Sequence, residues 1–418
     1  MSDFHQNGVI STLHNLRSRD IADLEGELVQ FARQRPLSLI LPCLYSELEG
    51  PALPRIVEVL RQVPYLTQII IGLDCANANQ FAHAQRVFAQ LPQPHFVLWN
   101  DGPRLRAIQA QLAAEGLAPG EPGKGRNVWY CLGFLLATQQ SGAVALHDAD
   151  ILTYDRNLLA RLLYPVAHPG FHYQFSKGYY ARIAQAKLNG RVSRLLVGPL
   201  CRTLRTVFGD HPYLDYMASF RYPLAGEFAL RTDAVDTLKI PTDWGLEIGV
   251  LSEMYRNYSA HRVCQVEVAD HYDHKHQPLS ADDAQRGLSK MSVDIIKAFY
   301  RKLATTGVVF TSEHFRSIKA TYYRAALDYI ESYGHDAALN GLRFDHHAEE
   351  QAVETFAHNI VRAGQHFLEH PMEQPFVPSW NRVRSALPGV LEELHAAVRA
   401  DAGLTRPVVT RGAGHAVA

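Results

Sequence analysis

The sequence predicts an α/β fold in which a largely parallel sheet is followed by a helical C-terminal region. Between residues 37 and 150, short apolar runs alternate with segments of helical periodicity, the order that builds a parallel sheet. Several of these apolar runs end in aspartate. From about residue 280 onward the apolar spacing is helical.

The first half supplies four predicted strands. They cover residues 37–42, 68–74, 95–101 and the run from 143 that ends in the two aspartates Asp148 and Asp150. Helices are predicted between them at about 51–62, 79–91, 103–115 and 124–139, and residues 1–36 form a leading helical segment. Because the carboxyl ends of parallel strands share one edge, an acidic rim is expected there.

The second half is less regular. An antiparallel strand is predicted at 171–175, an apolar helix from the 190–194 stretch to about 208, and a strand at 264–268. Helices follow at 293–303, 312–333, 347–370 and 380–400. The expected organisation is an N-terminal helical segment (1–36), a Rossmann-like half (37–150), a second, less regular half (151–280), a helical region that could support dimerisation (281–400) and a loose tail (401–418).

Composition excludes several classes of protein. Lys and Arg number 41 against 42 Asp and Glu, a net charge of -1, so no global field attracts nucleic acid or an anionic membrane. Five cysteines without C-x-x-C spacing argue against a disulfide framework. With neither a signal-peptide pattern nor a long apolar run, a cytoplasmic protein is expected.

The D-x-D tripeptide at the end of the fourth strand is the centre of the predicted site. Residues i and i+2 of an extended segment point to the same side, so Asp148 and Asp150 can address one ligand. Two close carboxylates favour a hard divalent cation. A strand-end turn without a ligand would also use aspartate.

Two further stretches offer cations beside helix starts. Lys124 lies between glycines where a helix begins. Exposed amides and one cation at a helix start are typical of a phosphate-binding site, although the Walker A spacing is absent. Arg191 and Ser193 open the helix after Gly190, which suits an anionic small molecule. Solvated surface residues would give the same pattern.

Glu227 and a histidine cluster complete the set of candidate residues. Glu227 stands in apolar surroundings after a small-residue turn, where a carboxylate needs a partner or a function. Three histidines, His271, His274 and His276, fall within six residues. Their spacing matches no structural zinc pattern, and one imidazole completing a carboxylate site for Mn²⁺ or Mg²⁺ is the preferred interpretation.

With these landmarks placed, the sequence resembles the glucosyl-3-phosphoglycerate synthases, retaining glycosyltransferases of family 81 with a GT-A fold. The resemblance covers roughly residues 37–300 and rests on segments in the same order: Gly123-Lys124-Gly125, Asp148-Ala149-Asp150, Gly190-Arg191-Val192-Ser193-Arg194, Pro223-Leu224-Ala225-Gly226-Glu227 and Trp244-Gly245-Leu246-Glu247-Ile248-Gly249, then Gln265-Val266 and the histidine segment ending at Pro278-Leu279.

The resemblance implies UDP-glucose or GDP-glucose as donor, D-3-phosphoglycerate as acceptor and Mg²⁺ or Mn²⁺ as cofactor, with residues 37–150 as the nucleotide-sugar-binding half and 151–280 as the acceptor-binding half; the amphipathic C-terminal helices could pack on a second subunit, and a homodimer is expected. It assigns the metal to Asp150 and His274, with Asp150 and Glu227 as the catalytic pair. The expected donor contacts are Glu47, Asp74, Lys124 and Asp148. The expected acceptor contacts are Arg191, Ser193 and His276.

Departures from the family pattern keep some alternatives open. After the first strand only Glu47 can supply the acidic contact, which leaves the donor base undecided, and His271 remains a rival to His274 for the metal. A GDP-mannose donor or a glycerate acceptor is an alternative within the class. A D-x-D phosphohydrolase is a remote one, because it would place the motif on the first strand and a Thr or Val where Leu152 stands. A non-catalytic assembly protein is the third.

Overall fold

The computed structural model of the chain describes residues 6, 8–274, 287–371, 373 and 376–404. Its centre is an eight-stranded mixed sheet. The strands of the described chain are β1 Ser11–Leu13, β2 Leu37–Leu44, β3 Leu66–Asp74, β4 His95–Trp99, β5 Ala143–Leu146, β6 Phe175–Tyr180, β7 Ile183–Ala184, β8 Lys187–Leu188, β9 Phe228–Arg231 and β10 Val263–Ala269.

Fourteen α-helices accompany the sheet in the described ranges. They are α1 Ile21–Ala32, α2 Ala52–Leu60, α3 Ala78–Phe88, α4 Pro103–Ala114, α5 Lys124–Thr138, α6 Arg156–Ala167, α7 Gly198–Phe208, α8 Pro212–Ala218, α9 Leu246–Asn257, α10 Gly287–Ala304, α11 Ser312–Leu339, α12 His346–Glu369, α13 Trp380–Ala386 and α14 Val390–Asp401. Among them, none combines the length and apolar character that crossing a bilayer requires.

The strand order is β1-β10-β6-β9-β5-β2-β3-β4, and β7 and β8 form a separate hairpin. All neighbours in the large sheet are parallel except that β9 runs antiparallel to both β5 and β6. Strands β2, β3, β4 and β5 therefore deliver their carboxyl ends to one edge, as the sequence predicts. The expected GT-A type mixed sheet, flanked by helices and extended by C-terminal helices, is confirmed.

Successive side chains of a strand point to opposite faces of the sheet, and both faces are buried because helices pack on each of them. Ile40 and Ile70 belong to one apolar core, whereas Leu39 and Ile69 belong to the other. The first core also includes α5 and the C-terminal helices. Trp380 of α13 stacks on Trp129 of α5, with ring centroids 4.1 Å apart. The C-terminal helices are thus part of the same packed unit as the sheet.

Three details of the sequence prediction are wrong. The strand expected at 171–175 is β6, which begins only at Phe175 and lies antiparallel to β9 but parallel to β10. The helix expected at 380–400 is interrupted at Pro388 and Gly389, where the proline and a positive φ of 92° end α13 before α14 begins. The leading segment is not purely helical, since β1 pairs with β10 before α1 starts.

Candidate functional site

The D-x-D aspartates and His274 lie together beyond the carboxyl end of β5. Backbone pairing brings them there: Ile151 forms an isolated antiparallel bridge with His274, and the amide of Leu152 donates to the carbonyl of Asp273 at 2.9 Å. One ligand atom from each of Asp148, Asp150 and His274 lies within 4.8 Å of the others. His274 Nδ1 is 4.0 Å from Asp150 Oδ1.

These three side chains fit a divalent cation. Mg²⁺ binds oxygen ligands at about 2.1 Å, so its ligand atoms stand roughly 3–4 Å apart. The observed separations need only a small closure. Two carboxylates with one imidazole are a donor set that Mn²⁺ and Mg²⁺ accept.

His271 lies elsewhere. It is exposed and lines a cavity of about 600 Å³ together with Arg17, Asp155 and Arg161. His276 lies outside the described residues. Of the described histidines in the cluster, the structure brings His274, and not His271, to the aspartates.

Lys124 is the first residue of α5 and connects two carboxylates. Its Nζ lies 2.6 Å from Asp148 Oδ1 and 3.2 Å from Glu247 Oε1. Burial lowers the pKa of Lys124, but the charges of Asp148 and Glu247 outweigh it and the net pKa is raised. Lys124 is therefore a permanent cation in the site.

The two aspartates of the D-x-D motif differ in charge state. Burial raises the pKa of Asp148, but Lys124 more than compensates and the net pKa is lowered. Burial, followed by repulsion from Asp148, raises the pKa of Asp150 to about 7. Asp148 is thus neutralised by Lys124 within the protein, while Asp150 gains most from an added cation.

Glu227 is fully buried, with an exposed fraction of 0%, and both of its carboxylate oxygens are bonded. Tyr180 donates to Oε2 at 2.7 Å, and Tyr272 donates to Oε1 at 2.5 Å. The two tyrosine rings stack with centroids 3.8 Å apart. Burial, then the charge of Asp148, raises the pKa of Glu227. Its orientation is fixed by a rigid aromatic pair.

Two close approaches hold the segment before Glu227 against the site. A Cβ at Gly226 would lie 2.4 Å from Asp148 Oδ2, so any larger residue there would displace the Asp148 carboxylate. Lys177 of β6, 1% exposed, donates from Nζ to the carbonyl of Ala225. Burial lowers the pKa of Lys177 to about 8, partly offset by Glu247 and Glu227.

His147 stabilises the backbone of the D-x-D segment through a hydrogen bond to the carbonyl of Asp148. Its ring is fully buried between the carbonyl of Asp148, 2.9 Å from Nδ1, and the hydroxyl of Tyr154, 3.0 Å from Nε2. Burial lowers the pKa of His147 to about 4. The neutral ring donates from Nδ1 and accepts at Nε2 from the tyrosine.

Asp74 and Glu47 occupy neighbouring strand ends. Asp74 ends β3 and accepts a hydrogen bond of 2.9 Å from Asn100, with Arg126 at 3.5 Å. Burial raises its pKa. Glu47 lies on the 3-10 turn Tyr45–Glu49 after β2, and its charge contributes to the raised pKa of Asp150.

Arg191 and Ser193 lie where a π-helical segment, Val192–Val197, begins before α7. Arg191 Nε donates to Glu349 Oε1 at 2.7 Å. The Ser193 hydroxyl is buried and makes no hydrogen bond within the described residues. The backbone turns into this segment at Gly190, whose φ of 73° favours glycine.

Comparison with known proteins decides the family. No family model matches the chain. A glucosyl-3-phosphoglycerate synthase of Persephonella marina is 44% identical over 96% of this chain and 99% of its own length. One of Methanococcoides burtonii is 39% identical over 96% and 98%. The chain belongs to the glucosyl-3-phosphoglycerate synthase family.

A solved member of this family shares the fold. The glucosyl-3-phosphoglycerate synthase of Mycobacterium tuberculosis in complex with Mn²⁺, uridine diphosphate and glucosyl-3-phosphoglycerate matches with a TM-score of 0.52 at 21% identity. The match covers 72% of this chain and 90% of that protein. More than a quarter of this synthase-family chain therefore lies outside the match.

Sequence reasoning missed several residues of the site. Glu247 was part of a matching motif without a role, although a carboxylate in the first turn of a helix after small residues is a usable signal. Nothing in the sequence around Lys177 and Tyr272 marks them as site residues, since lysine and tyrosine are common on protein surfaces and the burial of these two side chains follows only from the fold. Glu349 could not be found from sequence, because it lies 158 residues from its partner Arg191.

Proposed function

We propose that this protein is a metal-dependent retaining glucosyltransferase that moves glucose from a nucleotide sugar to D-3-phosphoglycerate. The observation that carries the proposal is 44% identity to a glucosyl-3-phosphoglycerate synthase over nearly the full length of both chains. The carboxylate, imidazole and lysine groups beyond β5 supply the chemistry that such a transfer needs. UDP-glucose is the first donor to test, because the related solved protein is named in complex with UDP-glucose and phosphoglyceric acid.

On the donor side, Asp150 and His274 are assigned to the metal. Lys124 and Asp148 are assigned to the diphosphate and ribose, and Asp74 and Glu47 to the nucleoside. A bound Mg²⁺ or Mn²⁺ would neutralise the negative charge that builds on the leaving diphosphate. Lys124 adds a fixed positive charge to the same place, since its raised pKa keeps it protonated.

Glu227 is assigned to the transferring sugar. Both oxygens already accept hydrogen bonds from tyrosines, which fixes the carboxylate for orienting sugar hydroxyls and for stabilising positive charge at the anomeric carbon. A retaining transfer in which the acceptor hydroxyl attacks from the face of the departing phosphate needs no protein nucleophile. The acceptor proton then passes to the leaving phosphate oxygen.

On the acceptor side, Arg191, Ser193 and His276 are assigned to the phosphate or carboxylate of 3-phosphoglycerate. Arg191 offers a planar set of donors that matches such anions. The buried Ser193 hydroxyl, without a partner in the described part of the chain, adds a donor. Residues 37–150 and 151–280 are proposed as the donor and acceptor halves, and a cytoplasmic homodimer as the working form.

The test is a matrix of UDP-glucose, GDP-glucose and GDP-mannose against 3-phosphoglycerate and glycerate, each with and without Mn²⁺. Nucleoside diphosphate release and product mass are measured. Metal-dependent glucosyl transfer to 3-phosphoglycerate is expected. Transfer only to glycerate, or only from GDP-mannose, would replace the substrate assignment, and no transfer by a folded protein would refute it.

A further inference from the structure

Glu349 of α12 joins the C-terminal helices to the predicted acceptor segment. It is 4% exposed and lies between two guanidinium groups. Its Oε1 accepts from Arg191 Nε at 2.7 Å, and its Oε2 accepts from Arg194 Nη2 at 3.1 Å. One carboxylate thus fixes two of the three polar side chains in the 190–194 stretch.

The two arginines have different tasks in this arrangement. Arg194 is 8% exposed, donates to the carbonyls of Asn189 and Leu188 at 2.9 and 3.2 Å, and lies 4.8 Å over the ring of Tyr333. It fixes the backbone that leads into Gly190. Nε and Nη2 of Arg194 are therefore committed to the protein, whereas its buried Nη1 makes no hydrogen bond within the described residues.

Arg191 is bound on one edge only. Its side chain is 30% exposed, and its contact with Glu349 uses Nε. Within the described residues its two terminal nitrogens have no hydrogen-bond partner. Because those nitrogens form the face that binds a carboxylate or phosphate in a two-point contact, Glu349 orients Arg191 without consuming that face.

A second contact ties the same region to the C-terminal helices. The loop between α11 and α12 pairs with the β7–β8 hairpin: the amide of Arg343 donates to the carbonyl of Ala186 at 2.8 Å, and its guanidinium donates to the carbonyl of Gln185 at 2.6 Å. The hairpin ends two residues before Gly190. Residues beyond 340 therefore contact both the 190–194 stretch, through Glu349, and the hairpin that precedes it, through Arg343.

We propose that Glu349 is a positioning residue for the acceptor. Because Glu349 orients Arg191, the C-terminal helices determine how tightly the 190–194 stretch of the same chain binds a phosphorylated acid. The inference rests on the proposed function. Two guanidiniums and one carboxylate leave a single net positive charge at the segment, enough to attract an anion, while the carboxylate prevents Arg191 from turning away.

The variant Glu349→Gln tests this proposal, because the loss of charge and the loss of orientation predict opposite changes in the affinity for the acceptor. Removal of a negative charge beside Arg191 would by itself strengthen binding of an anion. A glutamine amide can accept a hydrogen bond from only one of the two arginines, so Arg191 would lose its fixed orientation and anion binding would weaken. We expect the acceptor KM to rise about tenfold or more, as for loss of a charge-assisted hydrogen bond, with kcat changed less and the donor KM unchanged.

Glu350→Gln is the matched control, since Glu350 is the exposed neighbour and the substitution makes the same charge change. It should leave the acceptor KM within about twofold, as expected for a screened surface charge. Glu349→Asp, which keeps the charge on a shorter side chain, should restore part of the affinity and also serves if the glutamine variant fails to fold. An acceptor KM unchanged in both Glu349 variants, or raised equally in Glu350→Gln, would overturn the proposal.

A binding measurement separates this proposal from the proposed function. Inorganic phosphate and 3-phosphoglycerate are titrated calorimetrically into wild type and Glu349→Gln. Weaker binding to the variant supports the positioning role even if wild type transfers no glucose, in which case only the proposed function fails. Equal binding to both proteins, or no binding to wild type, refutes the positioning role whatever the activity.

Discussion

His147 gives a direct test of how the D-x-D loop is held. The folded protein keeps this imidazole neutral, since burial lowers its pKa from 6.5 to about 4. In the unfolded chain the same ring titrates near 6.5. The folded pKa is the lower one, so the stabilisation is complete above about pH 7 and is lost as the pH falls from about 6.5 toward about 4.

The size of the effect follows from these two values. Each unit of pKa difference corresponds to about 1.4 kcal/mol, so the full difference is worth about 3 kcal/mol. Between about pH 7.5 and about pH 5, roughly 2 kcal/mol of it should be lost. A His147→Gln variant lacks the titrating group and should not show this part of the pH dependence.

The assay is urea unfolding of metal-free wild type and His147→Gln at both pH values. Near neutral pH the variant should be less stable by about 1–3 kcal/mol, because a buried hydrogen-bonded pair is disturbed, and the difference should shrink by roughly 2 kcal/mol at about pH 5. His172→Gln, at an exposed side chain, is the control and should follow wild type. If the free energy of unfolding falls by the same amount in wild type and in His147→Gln between the two pH values, the hypothesis of a buried neutral imidazole at position 147 is refuted.

Three further predictions concern the metal and the lysine. Asp150→Asn should keep the fold but weaken Mn²⁺ binding by more than the roughly 10–100-fold typical of losing an outer-shell partner, measured by calorimetry; unchanged affinity would remove Asp150 from the metal site. His274→Ala should raise the Mn²⁺ concentration required for activity more than His271→Ala does, and a larger effect of His271→Ala would assign the metal ligand to His271 instead. Lys124→Met leaves Asp148 without its cation, so Mn²⁺ alone should bind more tightly while uridine diphosphate binds more weakly, and a parallel loss of both would contradict the charge assignment.

The sheet was predictable where each strand is specified by its own residues. Strands β2, β3 and β5 are short apolar runs, and burial on both faces makes such runs easy to recognise. Strand β6 is also buried along its whole length, but it includes Ser176 and Lys177. Lys177 is tolerated there because its ammonium reaches the carbonyl of Ala225, a contact between residues 48 positions apart that no local pattern reveals.

Strand β1 shows the same limit more sharply. It has three residues and exists by pairing with β10, with Ser11 opposite Cys264. A segment this short has little intrinsic preference for a strand. Its structure is decided by a neighbour about 250 residues away, so the helical periodicity of the following residues dominated the prediction.

At the site, the sequence identified residues whose chemistry is unusual for their position. The spacing of the D-x-D motif by itself treats the two aspartates alike, and only the family resemblance assigned the metal to Asp150 and a donor contact to Asp148. They are not equivalent in the fold. Lys124 contacts Asp148 and Glu247 and keeps the pKa of Asp148 low, whereas burial and then the charge of Asp148 raise the pKa of Asp150 to about 7. A carboxylate that is costly to ionise in the free protein gains most from a divalent cation. The difference between the two aspartates of the motif therefore follows from burial and from the position of Lys124 at the start of the preceding helix, and not from the motif itself.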